Sequence, residues 1–261
     1  MTLRRWERPT PAAEIEVATD AELRQIRQMM RDYQAELGVD LCFQDFETEL
    51  EQLPGPYARP DGALLYASRA VHPLIEGHEI VGIAAFKPIG PGVCELKRFY
   101  VRPDCRQLGI ASLLLDAALN RAVKSGYREA RLDTLRRLGP ALTFYERRGF
   151  LPCEAYVPNP ESDVVYMSRQ IGIFASEPFG KYLDWAGRIS ELPESLSNPA
   201  TQGLWGYLAG HFEHGRNYRE SEVNAVLDSL SLDRDPARLR RELVDRGCLN
   251  RTPDGKQYWR D

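Results

Sequence analysis

The stretch Val101–Leu115, VRPDCRQLGIASLLL, decides the fold. A strand-like run ends at its first residue, and a helix-like run begins within it. The turn between them, Arg106–Ala111, is compact and contains one glycine. Such a turn directs backbone N–H groups and the positive end of a helix dipole at a bound group, and a diphosphate suits it best. The sequence therefore predicts a phosphate-bearing cofactor.

The overall composition is ordinary for a folded protein. The chain has 261 residues, of which 43% are hydrophobic and 28% charged, and its formal net charge is −4. This charge argues against a general attraction to nucleic acid or to an anionic membrane. No apolar run reaches the roughly 18 residues of a membrane-spanning helix, and the N-terminus MTLRRWERPT lacks an apolar export segment. We therefore expect a cytoplasmic protein without a membrane partner.

The cysteines lack the spacing of a disulfide framework, and the histidines lack the spacing of a metal site. The five cysteines are odd in number, scattered and never arranged as C-x-x-C, which is typical of reduced thiols. His211 and His214 could share a helix face, but they lack the H-E-x-x-H order and a nearby cysteine pair. We expect no metal.

The hydrophobic pattern divides the first two thirds of the chain into helices and strands. A capping-box pattern at Thr19–Glu22 opens a helix that runs to about Glu36, and Phe46–Leu53 forms a second, short helix. The next predicted elements are the strands Ala63–Ala70, Ile80–Lys87 and Val93–Val101, the helix Leu108–Lys124, the strand Ala130–Leu135, the helix Pro140–Arg148, and the strands Phe150–Val157 and Val164–Arg169. This order predicts an α/β (α+β) fold, in which helices flank a mixed, mostly antiparallel sheet.

The character of the sequence changes near residue 173. A loop-rich segment with several prolines and glycines precedes three helix-like runs and a terminal hairpin. These elements are Thr201–His214, Glu220–Leu230, Pro236–Arg246, and the hairpin strands Cys248–Arg251 and Gln257–Arg260. Three helices and a hairpin are the outline of a small winged-helix-like α+β domain. We therefore expect two domains, 1–173 and 174–261.

Three ordered segments of the first domain resemble the GNAT superfamily of N-acetyltransferases. The strand Glu95–Val101 looks like the family's fourth strand, and Arg106-x-x-Gly109-x-Ala111 fits its Q/R-x-x-G-x-G/A loop. The segment Ala141–Phe150, ALTFYERRGF, resembles its A-x-x-L-Y-E-x-x-G-F motif. One glycine turn alone is weak evidence, but three pieces in the right order are strong. The resemblance covers about residues 12–172 and implies the GNAT fold, with acetyl-CoA as the acyl donor.

The resemblance also implies how acetyl-CoA binds. Backbone N–H groups at the helix start would hold the diphosphate, with the side chain or backbone of Arg106 beside it. In the family the preceding strand splays from its neighbour, and its free backbone groups pair with the pantetheine arm. The implied cofactor-binding residues are Phe99, Tyr100, Val101, Arg106, Gln107, Leu108, Gly109, Ile110, Ala111 and Ser112. Leu138 replaces an asparagine that contacts the pantetheine in many members.

Two side chains are implied as catalytic. Amide formation requires a deprotonated amine, stabilisation of an oxyanion and protonation of the leaving thiolate. Tyr145 stands at the family's usual acid position, and Glu95 at a position where several members carry a carboxylate base. For Tyr145 the alternative is a helix tyrosine that only packs against its neighbours. For Glu95 the alternatives are a strand carboxylate that pairs with a neighbouring cation, and ordered water that acts as the base in its place. A backbone N–H near Phe99 or Tyr100 would meet the oxyanion.

The acceptor is not identified by the sequence. In this fold it enters between the first two helices and the last strands, where some residues could form a pocket and two arginines could hold a carboxylate. These candidates are Leu41, Phe43, Gln44, Tyr156, Arg136 and Arg137. For each, ordinary packing or a solvated charge is the alternative. We expect direct transfer, in a ternary complex, to a primary amine of a small molecule or peptide.

The second domain resembles a small bacterial domain found at the C-terminus of some transcription regulators. The matching segments are Tyr218–Asn224, Leu239–Gly247 and Tyr258–Arg260. Residues 174–261 carry 12 basic and 14 acidic side chains, which is not typical of nucleic-acid binding.

The end of the second domain is nevertheless locally basic, with 7 basic against 4 acidic side chains in residues 238–261. Candidate phosphate contacts there are Arg238, Arg241, Arg251 and Lys256. The alternative is that these cations pair with nearby carboxylates. An acyl-CoA-sensing regulator with a DNA-binding second domain is thus the alternative function, although the charge does not favour nucleic acid. A homodimer is left open.

Overall fold

The protein folds into two compact units in the computed structural model, Met1–Gln170 and Ile171–Asp261. The sequence predicted the division at residue 173. Each unit has its own cluster of buried apolar side chains. The structure describes residues 13–39, 45–72, 75–192, 199–232 and 235–261.

The first unit is built on one sheet. In chain order its elements are β1 (Glu14–Val17), α1 (Leu23–Leu37), α2 (Phe46–Gln52), β2 (Ala63–His72), β3 (Ile75–Gly90), β4 (Val93–Val101), α3 (Ile110–Lys124), β5 (Glu129–Leu135), α4 (Gly139–Arg147), β6 (Leu151–Pro152) and β7 (Val164–Gln170). The strand order is β1-β2-β3-β4-β5-β7-β6. The pair β4–β5 is parallel and the other pairs are antiparallel. This confirms the predicted mixed, mostly antiparallel sheet.

Helices flank both faces of this sheet. Ile26 of α1 and Phe46 of α2 are buried in one core with Ile83 of β3. Because successive side chains of a strand point to opposite faces, the neighbouring Gly82 belongs to the other face. There a Cβ atom on Gly82 would lie 2.8 Å from Leu114 Cδ1 of α3. The helix α3, which begins at the predicted phosphate turn, therefore rests directly on β3.

The N-terminal part differs from the prediction in two ways. The strand β1 was not predicted, because Glu14–Val17 is too short for its alternation to be distinctive. Helix α1 begins at Leu23 and not directly after Thr19. Half of the expected capping box is present, since the backbone N–H of Thr19 donates to Glu22 Oε2 at 2.8 Å. The Thr19 hydroxyl donates to the same carboxylate and does not cap a helix N–H. Gly38, with φ of 65°, is the C-cap of this helix.

The predicted strand Phe150–Val157 was largely wrong. Only Leu151–Pro152 pairs with β7, and one further bond joins the N–H of Cys153 to the carbonyl of Tyr166. Pro152 has no N–H to donate to a ladder, which favours the end of a strand. The chain then leaves the edge of the sheet, and Tyr156 contacts Glu95 of β4. Most of the apolar residues of this segment therefore belong to a connection and not to a long strand.

The described residues of the second unit form three α-helices and a small sheet. Its elements are α5 (Pro199–Ala209), β8 (Tyr218–Arg219), α6 (Glu220–Ser229), α7 (Pro236–Asp245), β9 (Asn250–Arg251) and β10 (Gln257–Trp259). The sheet order is β8-β10-β9, and β8 was not predicted. Helix α5 ends at Ala209, before the predicted His214, where Gly210 follows. The winged-helix-like description stays an interpretation of this order.

Within the described ranges, no helix is both long enough and apolar enough to cross a bilayer.

The contact between α3 and β3 predicts a sensitive position. Gly82→Val should lower the free energy of unfolding by about 1–3 kcal/mol, because its side chain would overlap Leu114 and approach the Tyr100 carbonyl. Urea denaturation followed by far-UV circular dichroism measures this. Gly90→Val is the matched control, because it lies on the same strand and has no atom within 4 Å of an added Cβ. Equal stability of both variants would contradict this packing.

Candidate functional site

The strands β4 and β5 separate in the middle of the sheet. Their pairing covers only Val93↔Glu129, Cys94↔Ala130 and Glu95↔Arg131. Beyond this point β4 stays paired with β3, and β5 stays paired with β7 as far as Leu135↔Val164. The inner edges of both strands therefore open into a gap, as the family resemblance implied.

A β-bulge bends β4 beside this gap. Ile83 pairs with Tyr100 and Ala85 pairs with Lys97, so Arg98 and Phe99 are both accommodated opposite one residue of β3. Arg98 has φ of 53°, in the left-handed region. A bulge changes the direction of the side chains that follow it. Here Phe99 contacts Tyr145 of α4, with ring centroids 6.0 Å apart.

A cavity of about 110 Å³ opens at the gap. Its walls come from α1, β4, β5, α4 and the connection before β7. The side chains that line it are Tyr33, Leu37, Val39, Leu96, Lys97, Arg98, Phe99, Leu132, Asp133, Thr134, Leu135, Leu138, Ala141, Tyr145, Asn159 and Glu161.

Glu95 is a buried carboxylate next to this cavity, with 1% of its surface exposed. The Tyr156 hydroxyl donates to its Oε1 at 3.1 Å. The ammonium groups of Lys97 and Lys87 lie 3.5 Å from Oε1 and 3.4 Å from Oε2. Oε2 accepts no hydrogen bond within the described part of the chain. The carboxylate is thus held by two cations and retains one acceptor position.

Tyr145 lines the cavity and is also packed. Its ring lies 5.4 Å from Phe144 and 5.7 Å from Phe150, measured between ring centroids, and 7% of the residue is exposed. Burial raises the pKa of Tyr145 above its ordinary value. The phenol therefore keeps its proton at neutral pH, as a general acid requires. Tyr145 therefore packs against aromatic rings and lines the cavity at the same time, so the two interpretations of this residue do not exclude each other.

Three polar side chains that the sequence did not single out as site residues connect β4, β5 and the loop beside them at the gap. Lys97 Nζ of β4 lies 3.9 Å from Asp133 Oδ1 of β5, beyond the last backbone pair of these strands. Asn159 Nδ2 donates to the other oxygen of Asp133 at 2.8 Å. The prolines on both sides of Asn159 were the one local signal that this segment forms a loop and not a strand.

The predicted diphosphate turn lies at the start of α3. Gly109 is the N-cap with φ of 80°, and the first helical bond runs from the Ser112 N–H to its carbonyl. The N–H groups of Ile110 and Ala111 precede that bond, so no helical carbonyl accepts them. A Cβ on Gly109 would meet no atom within 4 Å, which leaves open space above the turn. The turn therefore fits a diphosphate.

The other predicted loop residues lie around this turn. Gln107, with φ of 63°, and Leu108 are exposed. The Arg106 side chain points away from the turn, because its Nη2 donates to Glu36 of α1 at 2.7 Å and its Nε to the Val101 carbonyl at 3.0 Å. Of the two roles considered for Arg106, the backbone role is the one that this contact favours.

The acceptor candidates have different positions. Leu41, Phe43 and Gln44 lie outside the described residues. Tyr156 is bonded to Glu95, as noted above. Arg137 is bonded to Asp163 and to Glu161, the latter at 2.8 Å, so its guanidinium is already engaged by carboxylates. Arg136 is exposed.

In the second unit the candidate phosphate contacts are exposed, and Lys256 lies 3.6 Å from Asp254. The candidates Arg238, Arg241 and Arg251 lie on or near α7 and the terminal hairpin. His211 and His214 do not converge, because their Nδ1 atoms lie against the carbonyl oxygens of Tyr207 and Asp261.

Two family models match the chain. Residues 27–150 match the model described as "Acetyltransferase (GNAT) family", and residues 188–260 match "Uncharacterized protein conserved in bacteria (DUF2087)". The two matched ranges fall in the two compact units of the structure.

Curated relatives agree with the first match. An uncharacterized N-acetyltransferase of Schizosaccharomyces pombe is 37% identical over 147 residues, which cover 56% of this chain and 86% of the relative. The uncharacterized N-acetyltransferase YjgM of Escherichia coli is 28% identical over 130 residues, covering 48% of this chain and 74% of the relative.

A solved structure agrees in fold. The crystal structure of a GNAT-family acetyltransferase from Staphylococcus aureus superposes with a TM-score of 0.51 at 20% identity, covering 60% of this chain and 98% of that one. These comparisons give no support to the acyl-CoA-sensing regulator. The chain belongs to the acetyltransferase (GNAT) family and is an N-acetyltransferase whose acyl donor is acetyl-CoA.

Proposed function

We propose that the protein transfers the acetyl group of acetyl-CoA directly to a primary amine of a small molecule or peptide, with both substrates bound together. The observation that carries this proposal is the cavity at the β4–β5 gap, with Tyr145 in its wall and Glu95 beside it. Acetyl-CoA supplies an activated thioester, and the protein supplies position and proton transfer.

Direct transfer is supported by the residues around the cavity. None of the described lining residues is a cysteine or a serine, the side chains that most often carry an acyl group covalently. Cys94 of β4 is buried, and burial raises its pKa to about 12. This thiol stays protonated at neutral pH and is a poor nucleophile.

Tyr145 is proposed as the acid that protonates the leaving thiolate. Its phenol lines the cavity, and burial keeps it protonated. Because its pKa is raised, ionisation of Tyr145 should not reduce activity between neutral pH and the ordinary tyrosine range. An alkaline loss of activity in that window would have to come from another group.

Glu95 is proposed as the group that accepts the proton of the amine. Its Oε2 atom accepts no hydrogen bond from the described residues and lies 3.4 Å from the Lys87 ammonium, while Tyr156 and Lys97 hold Oε1 in place. Asp133 and Asn159 extend the polar wall toward the cavity. In the proposed reaction the base and the acid would therefore act from separate positions.

The donor is proposed to bind through backbone groups. The N–H groups at the start of α3 would hold the diphosphate, and the open edge of β4 near Phe99 and Val101 would pair with the pantetheine arm. A backbone N–H near Phe99 or Tyr100 would stabilise the oxyanion.

The variant Tyr145→Phe tests the acid. It keeps the ring packing and removes the proton, so kcat should fall about 100-fold while the KM for acetyl-CoA stays nearly unchanged. The measurement is thiol release from acetyl-CoA with a panel of amines, amino acids and peptides. Tyr127→Phe, which deletes the hydroxyl of a buried tyrosine bonded to the Asp61 carbonyl, should retain wild-type kcat. Wild-type turnover of Tyr145→Phe would assign the tyrosine to packing alone.

The variant Glu95→Gln tests the base. We expect kcat to fall about 100-fold at neutral pH and to recover partly as pH rises, because more of the acceptor amine is then already neutral. The pH–rate profile of thiol release measures both effects. Glu154→Gln, at an exposed position of the same connection as Tyr156, is the control. An unchanged profile for Glu95→Gln would favour ordered water as the base.

The variant Gly109→Ala tests the donor site. The alanine must adopt a left-handed backbone, which costs about 1–2 kcal/mol, and its Cβ would enter the space above the turn. Gly126→Ala is a matched control, because Gly126 follows the other end of α3 with φ of 95° and equally open surroundings.

Both glycine variants should lose similar stability, whereas Gly109→Ala alone should weaken coenzyme A binding by about ten-fold, as one lost charge-assisted hydrogen bond would. Isothermal titration calorimetry measures the affinity. Equal affinity of the two variants would place the diphosphate elsewhere.

A further inference from the structure

A buried ion pair joins the bulge of β4 to helix α2. Arg98 Nε lies 2.7 Å from Glu49 Oε1, and its Nη2 lies 2.5 Å from Oε2. The two side chains are 3% and 11% exposed. Glu49 also accepts a hydrogen bond of 2.9 Å from the Tyr57 hydroxyl, and the Arg98 guanidinium lies 5.1 Å from the ring centroid of Phe46. Both charged groups are thus mostly buried among partners from α2 and the segment after it.

The pair remains ionised despite its burial. Burial by itself raises the pKa of Glu49, but the hydrogen bonds and charge of Arg98 outweigh this and hold that pKa below its ordinary value. Burial acts on Arg98 in the opposite direction, and Glu49 again outweighs it, so the pKa of Arg98 is raised. Apolar side chains of similar size often stabilise a fold as well as a buried ion pair does. Stability alone therefore does not account for this pair.

The position of Arg98 in the strand indicates another role. Among the described residues, only Asp45, Arg98 and Gln107 combine a side chain with a positive φ. Gln107 lies in the diphosphate turn, and Asp45 is the N-cap of α2. Left-handed backbone at a residue other than glycine persists only where its surroundings enforce it, and such residues cluster at functional sites. At Arg98 the bidentate contact with Glu49 holds the backbone in this left-handed conformation.

We propose that Arg98 and Glu49 are positioning residues for acetyl transfer. Because the Arg98 guanidinium is bonded to Glu49 through Nε and Nη2, its role is assigned to the strand backbone and not to contact with a substrate. The pair fixes the bulge, and the bulge aims the strand N–H groups near Phe99 and Tyr100 at the carbonyl oxygen that gains negative charge. This inference rests on the proposed function.

A small displacement of the N–H group that stabilises the oxyanion is expected to change the rate. An oxyanion donor must lie within about 2.7–3.1 Å of the oxygen, and loss of one such donor lowers kcat by about 10²–10³-fold. A bulge that is loosened but not destroyed should have a smaller effect. We expect Glu49→Gln to lower kcat about 10- to 100-fold while the KM for acetyl-CoA and the Kd for coenzyme A change little, since the diphosphate turn is untouched.

A neighbouring ion pair provides the matched control. Glu47 lies on the same helix and pairs with Arg31 at 2.9 Å, but these side chains are 58% and 50% exposed. Glu47→Gln should therefore keep wild-type kcat, KM and melting temperature. The comparison separates the loss of the buried bidentate contact from the loss of a carboxylate charge on α2.

A double variant separates positioning from stability. Arg98→Met with Glu49→Met removes both buried charges and fills the space, so the melting temperature should return toward that of the wild type. The kcat should stay low, because methionine side chains do not fix the bulge by bidentate hydrogen bonds. A double variant with wild-type kcat, or a Glu49→Gln variant with unchanged kcat, would overturn the proposal.

Amide hydrogen exchange provides a readout that does not depend on turnover. Peptides that cover residues 96–101 of β4 should exchange faster in Glu49→Gln than in the wild type, whereas Glu47→Gln should leave them unchanged. A wild-type protein that releases no thiol with any acceptor contradicts the proposed function. Unchanged exchange at residues 96–101 in Glu49→Gln contradicts the positioning role, so the two failures are distinguishable.

Discussion

The candidate site depends on the end of backbone pairing between β4 and β5 after Glu95↔Arg131. Both strands keep their outer partners, so the sheet remains continuous on either side of the gap. A buried strand edge is costly unless its N–H and C=O groups find partners. An extended ligand arm can supply them as an added strand would. In the proposed function the same opening would receive the pantetheine arm and would bring the acetyl carbonyl beside the cavity.

Side chains replace the missing ladder across this gap. Lys97 reaches Asp133 from one strand to the other, and Asn159 holds the second oxygen of Asp133. These groups are mostly buried, where charge-assisted contacts are stronger than in water. They connect β4 and β5 without closing the gap, because long side chains span a distance that backbone hydrogen bonds do not. Arg98 and Glu49 have the corresponding role between β4 and α2.

The turn at the start of α3 could be predicted from the sequence, whereas the partners of the polar side chains around the gap could not. The turn at Gly109 is local, since a left-handed glycine and the first residues of α3 define it. In contrast, Arg98 and Glu49 are 49 positions apart, and Tyr156 and Glu95 are 61 apart. Periodicity assigns a residue to a face of the sheet but does not pair it with a distant partner. For the same reason Asp133 gave no signal as a site residue.

The two tyrosines beside the cavity show how position assigns different roles to the same side chain. Burial raises the pKa of both Tyr145 and Tyr156, so both phenols are protonated at neutral pH. The proton of Tyr156 is already donated to Glu95, which makes this tyrosine a support for the proposed base. Tyr145 instead faces the cavity from among aromatic rings. The two tyrosines therefore differ in hydrogen bonding and not in the direction of their pKa shift. In the proposed function this difference makes Tyr145, and not Tyr156, the donor of the proton to the leaving thiolate.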